Sequence, residues 1–505
     1  MQNVTLVGLV VVIVSGVVSC QHSVGKEANS MKPATVGEFE GNGDVGKVLH
    51  AGSVEFVAGK EQYRVTGSGE NIWGSQDAFH YVWRKVSGDL VLAADIEWVG
   101  QGKNLHRKAG WMVRQGLSAD SPYADVMVHG DGLISLQYRR ISGGATMEVQ
   151  SAVKGAARVQ LERNGDLFRL SVVAKGGVLE PVGSVTVALG EAVYAGLAVS
   201  SHEAGVLETA VFSNVVMKND VLKAGQQRVR ETSLEIVDVA TSERKVVYRA
   251  VDHFEAPNWS LDGKTLIINR RGRIYALPVG GGELKGLETG VLDKCNNDHG
   301  FSPDGKWLAV SHHEKGRSLI YVVPSGGGTA RQVTKVGPSY WHGWSPDGKT
   351  LAYCGERQGE FDIYTIEVEG GEEKRLTNGP GLDDGPDYTA DGKWIYWNSE
   401  RSGVMKIWRM KADGTGQEPV TTDAEYADWF PHPSPDGKWV VFLSYDKSVK
   451  GHPENQDVVL RMMSMAGGKA KVLATLFGGQ GTLNVPSWSP DSRSIAFVSY
   501  RFVYP

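Results

Sequence analysis

From about Gly37 to Met217 the chain alternates apolar and polar residues in short runs, with glycine-bearing turns between them. Leu90-Val91-Leu92-Ala93-Ala94-Asp95-Ile96-Glu97-Trp98, Ala124-Asp125-Val126-Met127-Val128-His129 and Phe168-Arg169-Leu170-Ser171-Val172-Val173 are examples, separated by turn signals such as Ser87-Gly88-Asp89 and Arg163-Asn164-Gly165-Asp166. A period of two sends successive side chains to opposite faces, so these runs read as strands. About a dozen of them without a helical run predict a β-sandwich over residues 37–218.

The second half is patterned by repetition. One phrase recurs as Trp-Ser-Leu-Asp-Gly-Lys at 259–264, Phe-Ser-Pro-Asp-Gly-Lys at 301–306, Trp-Ser-Pro-Asp-Gly-Lys at 344–349, Tyr-Thr-Ala-Asp-Gly-Lys at 388–393, Pro-Ser-Pro-Asp-Gly-Lys at 433–438 and Trp-Ser-Pro-Asp-Ser-Arg at 488–493. Its aspartates are 42, 43, 44, 45 and 55 residues apart. A period in the low forties built of short strands predicts one four-stranded sheet per repeat, hence a six-bladed β-propeller over residues 231–505. Proline presets φ, Asp accepts local backbone bonds and Gly tolerates positive φ, so each phrase reads as a tight turn rather than a catalytic motif. The aromatic or proline three residues before each Asp is expected to pack between blades. Ser233-Leu234-Glu235-Ile236-Val237-Asp238-Val239 and Lys245-Val246-Val247-Tyr248-Arg249 form an orphan hairpin, while the last repeat stops after Ile495-Ala496-Phe497-Val498-Ser499. The hairpin is therefore expected to complete the sixth blade and remove two exposed edges.

Both halves carry family phrases. Asn71-Ile72-Trp73-Gly74, Asp77-Ala78-Phe79-His80-Tyr81-Val82-Trp83, Arg107-Lys108-Ala109-Gly110-Trp111-Met112-Val113-Arg114 and Tyr194-Ala195-Gly196-Leu197 make the first half resemble the concanavalin/laminin-G-like sandwiches of exported bacterial proteins of carbohydrate metabolism. With blade-end phrases such as Gly326-Gly327-Gly328-Thr329-Ala330-Arg331-Gln332-Val333-Thr334 and Gly370-Gly371-Glu372-Glu373-Lys374-Arg375-Leu376-Thr377, the second half resembles the TolB-type propeller of bacterial envelopes. That resemblance implies a protein–protein scaffold, since the family docks peptidoglycan-associated lipoproteins. Here a sandwich stands where the family has an α/β domain.

Composition narrows the partners. The chain has 505 residues, 41% hydrophobic and 22% charged, with 64 glycines and a net charge of −5. That suits a turn-rich, all-β protein of two or three domains and leaves no electrostatic basis for nucleic-acid binding. Residues 4–18 are apolar or small and run into Val17-Val18-Ser19-Cys20. The run is too short to span a membrane as a helix and reads as a signal peptide over residues 1–20, with Cys20 in a sequence resembling a lipobox. Contact with a membrane is expected only through a lipid on Cys20, and location as exported, periplasmic or outer-membrane-anchored. Residues 21–36 read as a polar tether and residues 218–230 as a charged bridge. Cys295 and Cys354 sit at different offsets in neighbouring repeats and are expected to stay unpaired.

Candidate chemistry gathers just upstream of the Asp-Gly turns, where the innermost strand of each blade faces the central channel. Four blades place Pro257, Pro386, Pro431 and Pro486 five residues before the Asp, whereas two place His299 and His342 there. Around them stand Glu255, Asn297, Asp298, Tyr340, Trp341, Asp383, Asp384, Asp387, Asp428, Trp429 and His432. Such a set reads in three ways. It can be hydrated channel lining. It can be a ligand site, in which carboxylates and amides grip sugar hydroxyls while Trp and Tyr stack on a pyranose ring. Or His299, His342 and His432 can converge on a divalent metal with Asp298 or Asp384 beside it. A second ring comprises His312-His313-Glu314, Glu356-Arg357, Glu400-Arg401 and Tyr445-Asp446-Lys447, the Glu-Arg pairs reading as interblade ion pairs. An insertion at 447–457 accounts for the long last interval and carries His452. In the sandwich, His80, Tyr81, Trp83, Arg114, Asp125, His129, Gln137 and Tyr138 lie on predicted strands, with Asp125, Met127 and His129 on one face. That face reads as a concave glycan-holding surface or as a solvated sheet face. No phosphate loop, nucleophile elbow or zinc-finger spacing occurs.

The resulting expectation is an envelope protein that binds a polysaccharide, an oligosaccharide or another envelope polymer through the channel mouth and the sandwich face. Two alternatives stand beside it: a metal-assisted polysaccharide lyase or glycoside-cleaving enzyme at the propeller axis, implied by similarity to oligogalacturonate lyases, and the TolB-like scaffold with envelope-protein partners.

Overall fold

A computed structural model describes residues 35–156, 158–173, 179–220 and 228–503. Cys20, the signal-peptide segment, most of the 21–36 tether and residues 221–227 of the charged bridge lie outside the described residues.

Two seven-stranded antiparallel sheets form the sandwich. One runs in the spatial order Gly41–Val45, Phe79–Ser87, Ala192–Ser200, Lys108–Arg114, Tyr123–His129, Ile134–Arg139, Met147–Gln150. The other runs Leu179–Thr186, Leu167–Val173, Arg158–Asn164, Asp89–Trp98, Glu203–Asp220, Gln62–Gly69, Ser53–Val57. Strand 158–164 alternates half-buried and buried residues and sends Val159 and Leu161 to a core shared with Leu92, Trp111, Val126, Phe168 and Phe212. Strand 123–129 is instead buried at every position. Ala124, Val126 and Val128 face that core, and Tyr123 and Met127 join a second cluster on the outer side with Ile72, Phe79 and Met112.

This corrects the expectation of an open glycan-holding surface. The hairpin that pairs Ile72–Trp73 with Gln76–Asp77 lies over the outer face of the sheet, fastened by Lys108 Nζ on Ile72 O at 2.8 Å and by Arg139 Nη2 on Gly74 O at 3.1 Å. Asp125, Gln137 and Arg114 are fully buried beneath it. His80 is fastened to Asp44 at 2.8 Å, and the Tyr81 hydroxyl donates to the Met112 and Tyr194 carbonyls.

The propeller has five four-stranded blades, with inner strands Glu255–Trp259, Cys295–Phe301, Ser339–Trp344, Asp383–Tyr388 and Tyr426–Pro433. The sixth is assembled from Ser494–Val503 and the hairpin of Val229–Asp238 with Arg244–Ala250, joined over ten register pairs from Val229↔Val503 to Asp238↔Ser494. Closure by the orphan hairpin thus follows the sequence pattern. All six turn phrases fold alike. The Ser or Thr hydroxyl donates to Asp Oδ1 at 2.6–2.7 Å, as does the amide two residues after the Asp at 3.0–3.1 Å. Glycine takes φ near +70° in five of them; Ser492 takes φ +60° in the sixth, and its hydroxyl accepts the Asp436 amide of blade five at 3.0 Å. The motif tryptophans do join blades: Trp259 Nε1 donates to Ser487 O, Trp344 to Gly300 O and Trp488 to His432 O, at 2.8–3.1 Å.

The two domains meet through polar contacts. Asp457 accepts from Thr186 N at 2.7 Å and Thr186 Oγ1 at 3.0 Å, Arg501 pairs with Glu162 at 3.1 Å, and Arg169 donates to Tyr500 O at 3.0 Å. Cys295 and Cys354 are buried free thiols.

Candidate functional site

The inner strands carry a shared irregularity. Each of the five regular ones slips register against its neighbour: between Glu255 and Asn258, Cys295 and His299, Trp341 and Gly343, Asp384 and Asp387, and Trp429 and His432. A bulge releases residues from the ladder and re-aims their side chains. In blade two it frees Asn296, Asn297 and Asp298; in blade three it frees His342; in blade five it frees Phe430, which takes φ +52°. These side chains, with Tyr340, Phe361, Asp384, His452 and Asn484, line a cavity of about 410 Å³ at the mouth of the propeller.

Charge and hydrogen bonding in this cavity are uneven. Asp384 Oδ1 lies 3.1 Å from His342 Nε2, and Asp384 Oδ2 lies 3.9 Å from His452 Nε2. Asp298 accepts Asn484 Nδ2 at 2.6 Å and Asn296 Nδ2 at 2.7 Å. Burial opposes the charge on both members of the Asp384–His342 pair, but their mutual attraction prevails. The Asp384 carboxyl is held below the usual range and the His342 imidazole is raised above its own. Burial and the nearby Asp384 charge lift Asp298 to about 6, against the pull of His342. Burial lowers His452. Three polar atoms of the lining make no hydrogen bond: His342 Nδ1, His452 Nδ1 and Asn484 Oδ1. Aromatic faces flank them, His342 stacking with Phe430 at 6.0 Å and His452 packing edge-on against Trp429 at 4.4 Å.

Of the residues expected at the channel, Asn297, Asp298, Tyr340, His342 and Asp384 line this cavity. The others do not. His299 is fully buried because it resumes pairing opposite Val310, one residue after the bulge, whereas the same offset in blade three falls on the bulged residue itself. His432 likewise re-pairs with Val441 and bonds Asp387 at 3.1 Å and Leu483 O at 3.3 Å. The histidine triad expected to hold a metal therefore does not assemble, and among the described residues no group of three His, Cys, Asp or Glu side chains is placed to hold one.

Four further residues serve the scaffold, and one borders a second cavity. Trp341 is buried in the core of blade three. Asp383 holds Arg401 at 2.7 Å and Trp397 Nε1 at 3.2 Å. Asp428 accepts Ser444 Oγ at 2.7 Å and Arg461 Nη2 at 2.9 Å. Glu255 lies against Gly481, 3.6 Å from His253 Nε2. Trp429 lines a neighbouring cavity. The interblade ion pairs expected of Arg357 and Arg401 are pairs within a blade, since Arg357 binds Glu373 at 2.6 Å and Arg401 binds Asp383. His313 reaches the mouth, as do Phe430 and Asn484, which stand in the aligned segments just upstream of the Asp-Gly turns, and Gln480, Leu382, Phe361 and Cys354, which no motif marked; the 55-residue interval was the signal for His452.

Comparison with known proteins bears on the propeller half. The TolB beta propeller domain family matches residues 342–501. An uncharacterized protein of Agrobacterium fabrum is 51% identical over 281 residues, which is 55% of this chain and 96% of that protein. A solved structure provisionally named TolB, from Agrobacterium tumefaciens, is 51% identical with a TM-score of 0.53 over 54% of this chain and 99% of that one. TolB from Acinetobacter baumannii is 22% identical over 50% of this chain and 64% of its own, with a TM-score of 0.41. The two Agrobacterium proteins are matched along nearly their whole length by about half of this chain. By its propeller, this chain belongs to the TolB-like six-bladed β-propeller proteins.

Proposed function

We propose that this is a binding protein of the bacterial cell envelope, exported to the periplasm or the outer membrane, whose propeller mouth holds a carbohydrate. One observation carries the reading: three buried polar atoms without partners, His342 Nδ1, His452 Nδ1 and Asn484 Oδ1, surround a cavity of about 410 Å³. Buried polar groups are ordinarily satisfied, and each one left open costs about 1–3 kcal/mol. A ligand with both donors and acceptors removes that cost on binding. A sugar ring offers hydroxyls of both kinds on its edge and C–H groups on its face, which suits Asp384 and Asn484 beside Tyr340, Phe361 and Phe430.

The test is calorimetric titration of the full chain with neutral and acidic oligosaccharides. Replacing His342 or Asn484 by Ala should weaken binding by about tenfold or more, the worth of one or two hydrogen bonds in a dry site. Equal binding by wild type and both variants would remove the mouth from the function.

A further inference from the structure

Beside the mouth lies a second cavity of about 620 Å³, between blades four and five and under the 447–457 insertion. Three pairs of consecutive residues place one member in each cavity: Gly381 and Leu382, Trp429 and Phe430, Gly451 and His452. The wall between the chambers is therefore one residue thick along three separate chain segments. His452 on this wall has its ring centroid 4.4 Å from that of Trp429 and a side chain 23% exposed. Trp429 is fully buried in this wall, yet its Nε1 has no hydrogen-bond partner.

The two chambers differ in charge. The mouth holds the carboxylates Asp298 and Asp384. The second chamber is lined by Glu400, Arg401, Lys447 and Lys450. Arg401 is already committed to Asp383 and Gln417. Lys447 and Lys450 are exposed and make no ion pair among the described residues, which leaves this chamber net positive.

We propose that the second chamber is a further subsite of the same cleft. The ligand is then an oligosaccharide of more than two units that crosses the His452 edge, with an anionic group on its outer unit held by Lys447 and Lys450. This rests on the reading of the mouth as a carbohydrate site. It adds a minimum length and a charge to the ligand, and it gives the insertion a task, as the rim of both chambers.

The experiment titrates the full chain with disaccharides, tetrasaccharides and hexasaccharides of four series: chitin- and cellulose-derived, which are neutral, and hyaluronan- and heparin-derived, which are acidic. The expected result is an acidic tetrasaccharide that binds about tenfold tighter than its disaccharide, with the gain falling as salt rises. In a Lys447→Glu, Lys450→Glu double variant, checked for an unchanged melting temperature, the tetrasaccharide should drop to the disaccharide's affinity. A disaccharide that binds in a His342-dependent way, with no gain from length or none from acidity, overturns the second subsite and leaves the mouth standing. Persistence of the gain in the double variant does the same. Absence of binding by every series, or binding that His342→Ala leaves untouched, overturns the reading of the mouth and the subsite with it.

Discussion

The sandwich and the propeller each bury a carboxylate against a cation, and the two arrangements differ in what surrounds the pair. In the sandwich, Asp77 is 3% exposed and accepts Arg139 Nη2 at 2.7 Å, Arg139 Nη1 at 2.9 Å and Arg114 Nη2 at 3.4 Å. The remaining donors of the two arginines reach Gly74, Gly116, Ser118, Ala119 and Gly144 carbonyls, so the cluster laces three loops onto the sheet. In the mouth, Asp384 has His342 at 3.1 Å, and beside it lie open volume and unpartnered atoms. Burial and charge are common to both. Unused hydrogen-bonding capacity next to a cavity belongs to the mouth, and on the function proposed above that is what separates it from a fastening. The sharpest break between them is expected from Asp77→Ala. It leaves two buried guanidinium groups without a counter-charge and should cost about 3–5 kcal/mol. Hydrogen exchange should then speed up in strands Tyr123–His129 and Ile134–Arg139 and stay unchanged in the propeller strand Thr350–Arg357. A loss below about 1 kcal/mol, the scale of an exposed pair, would mean that Asp77 is no fastening.

The mouth should respond to pH at both ends of its carboxylate–imidazole pair. The Asp384 carboxyl is depressed in the folded state, so its contribution is present above the ordinary aspartate range and is lost as pH falls through the lowered value. His342 is raised, so its contribution is complete below the ordinary histidine value and is lost as pH rises through the raised one. Between these two limits both groups are charged, and a hydrogen bond to a charged group is worth about 1.5–3 kcal/mol. Replacing His342 with Gln should remove about that much in the window and flatten the upper limb of the propeller's stability–pH curve. Chemical denaturation from about pH 4 to pH 9, which spans both ordinary values, measures it. An unchanged upper limb would show that the imidazolium is not what holds Asp384.

The ring was legible because its turns are chemically explicit. Each Asp-Gly phrase needs its own residues to close, so counting phrases counted blades, and the orphan hairpin at 233–249 matched the strands missing from the last repeat. The mouth was legible in part. Asp298, His342 and Asp384 stand where their offsets placed them. His299 shares the offset of His342 yet turns away, because a bulge of different length precedes it, and bulge length follows from packing against the next blade rather than from spacing. His452 belongs to no repeat, so alignment of repeats could not bring it to the axis. In the sandwich, alternation correctly put Asp125, Met127 and His129 on one side of the sheet. That a hairpin from residues 72–77 would cover that side is a long-range event, and strand periodicity carries no trace of it.

Asp125 is where the comparison is closest to failing. It lies in the fastened domain and is fully buried, yet neither carboxyl oxygen has a hydrogen-bond partner. Its neighbour Lys108, brought down to about 8 by burial, donates instead to Ile72 O and to Gln137 Oε1 at 3.1 Å. Burial holds the Asp125 carboxyl well above the aspartate range, against the pull of Lys108. The folded protein therefore keeps a proton that the unfolded chain releases, and stability declines as pH rises from the ordinary aspartate value toward the raised one. Asp125→Asn has the same shape and no such proton. The variant should match the wild type near pH 4 and overtake it as pH rises to about 7. A gain of about 1 kcal/mol would raise the melting temperature of a domain this size by about 2–4 °C. That outcome sharpens the contrast, because the least satisfied carboxyl of the sandwich would then be dispensable while those of the mouth are not. A variant less stable than wild type at every pH would mean that a charged Asp125 holds Lys108 in place, and the sandwich face would have to be counted with the mouth.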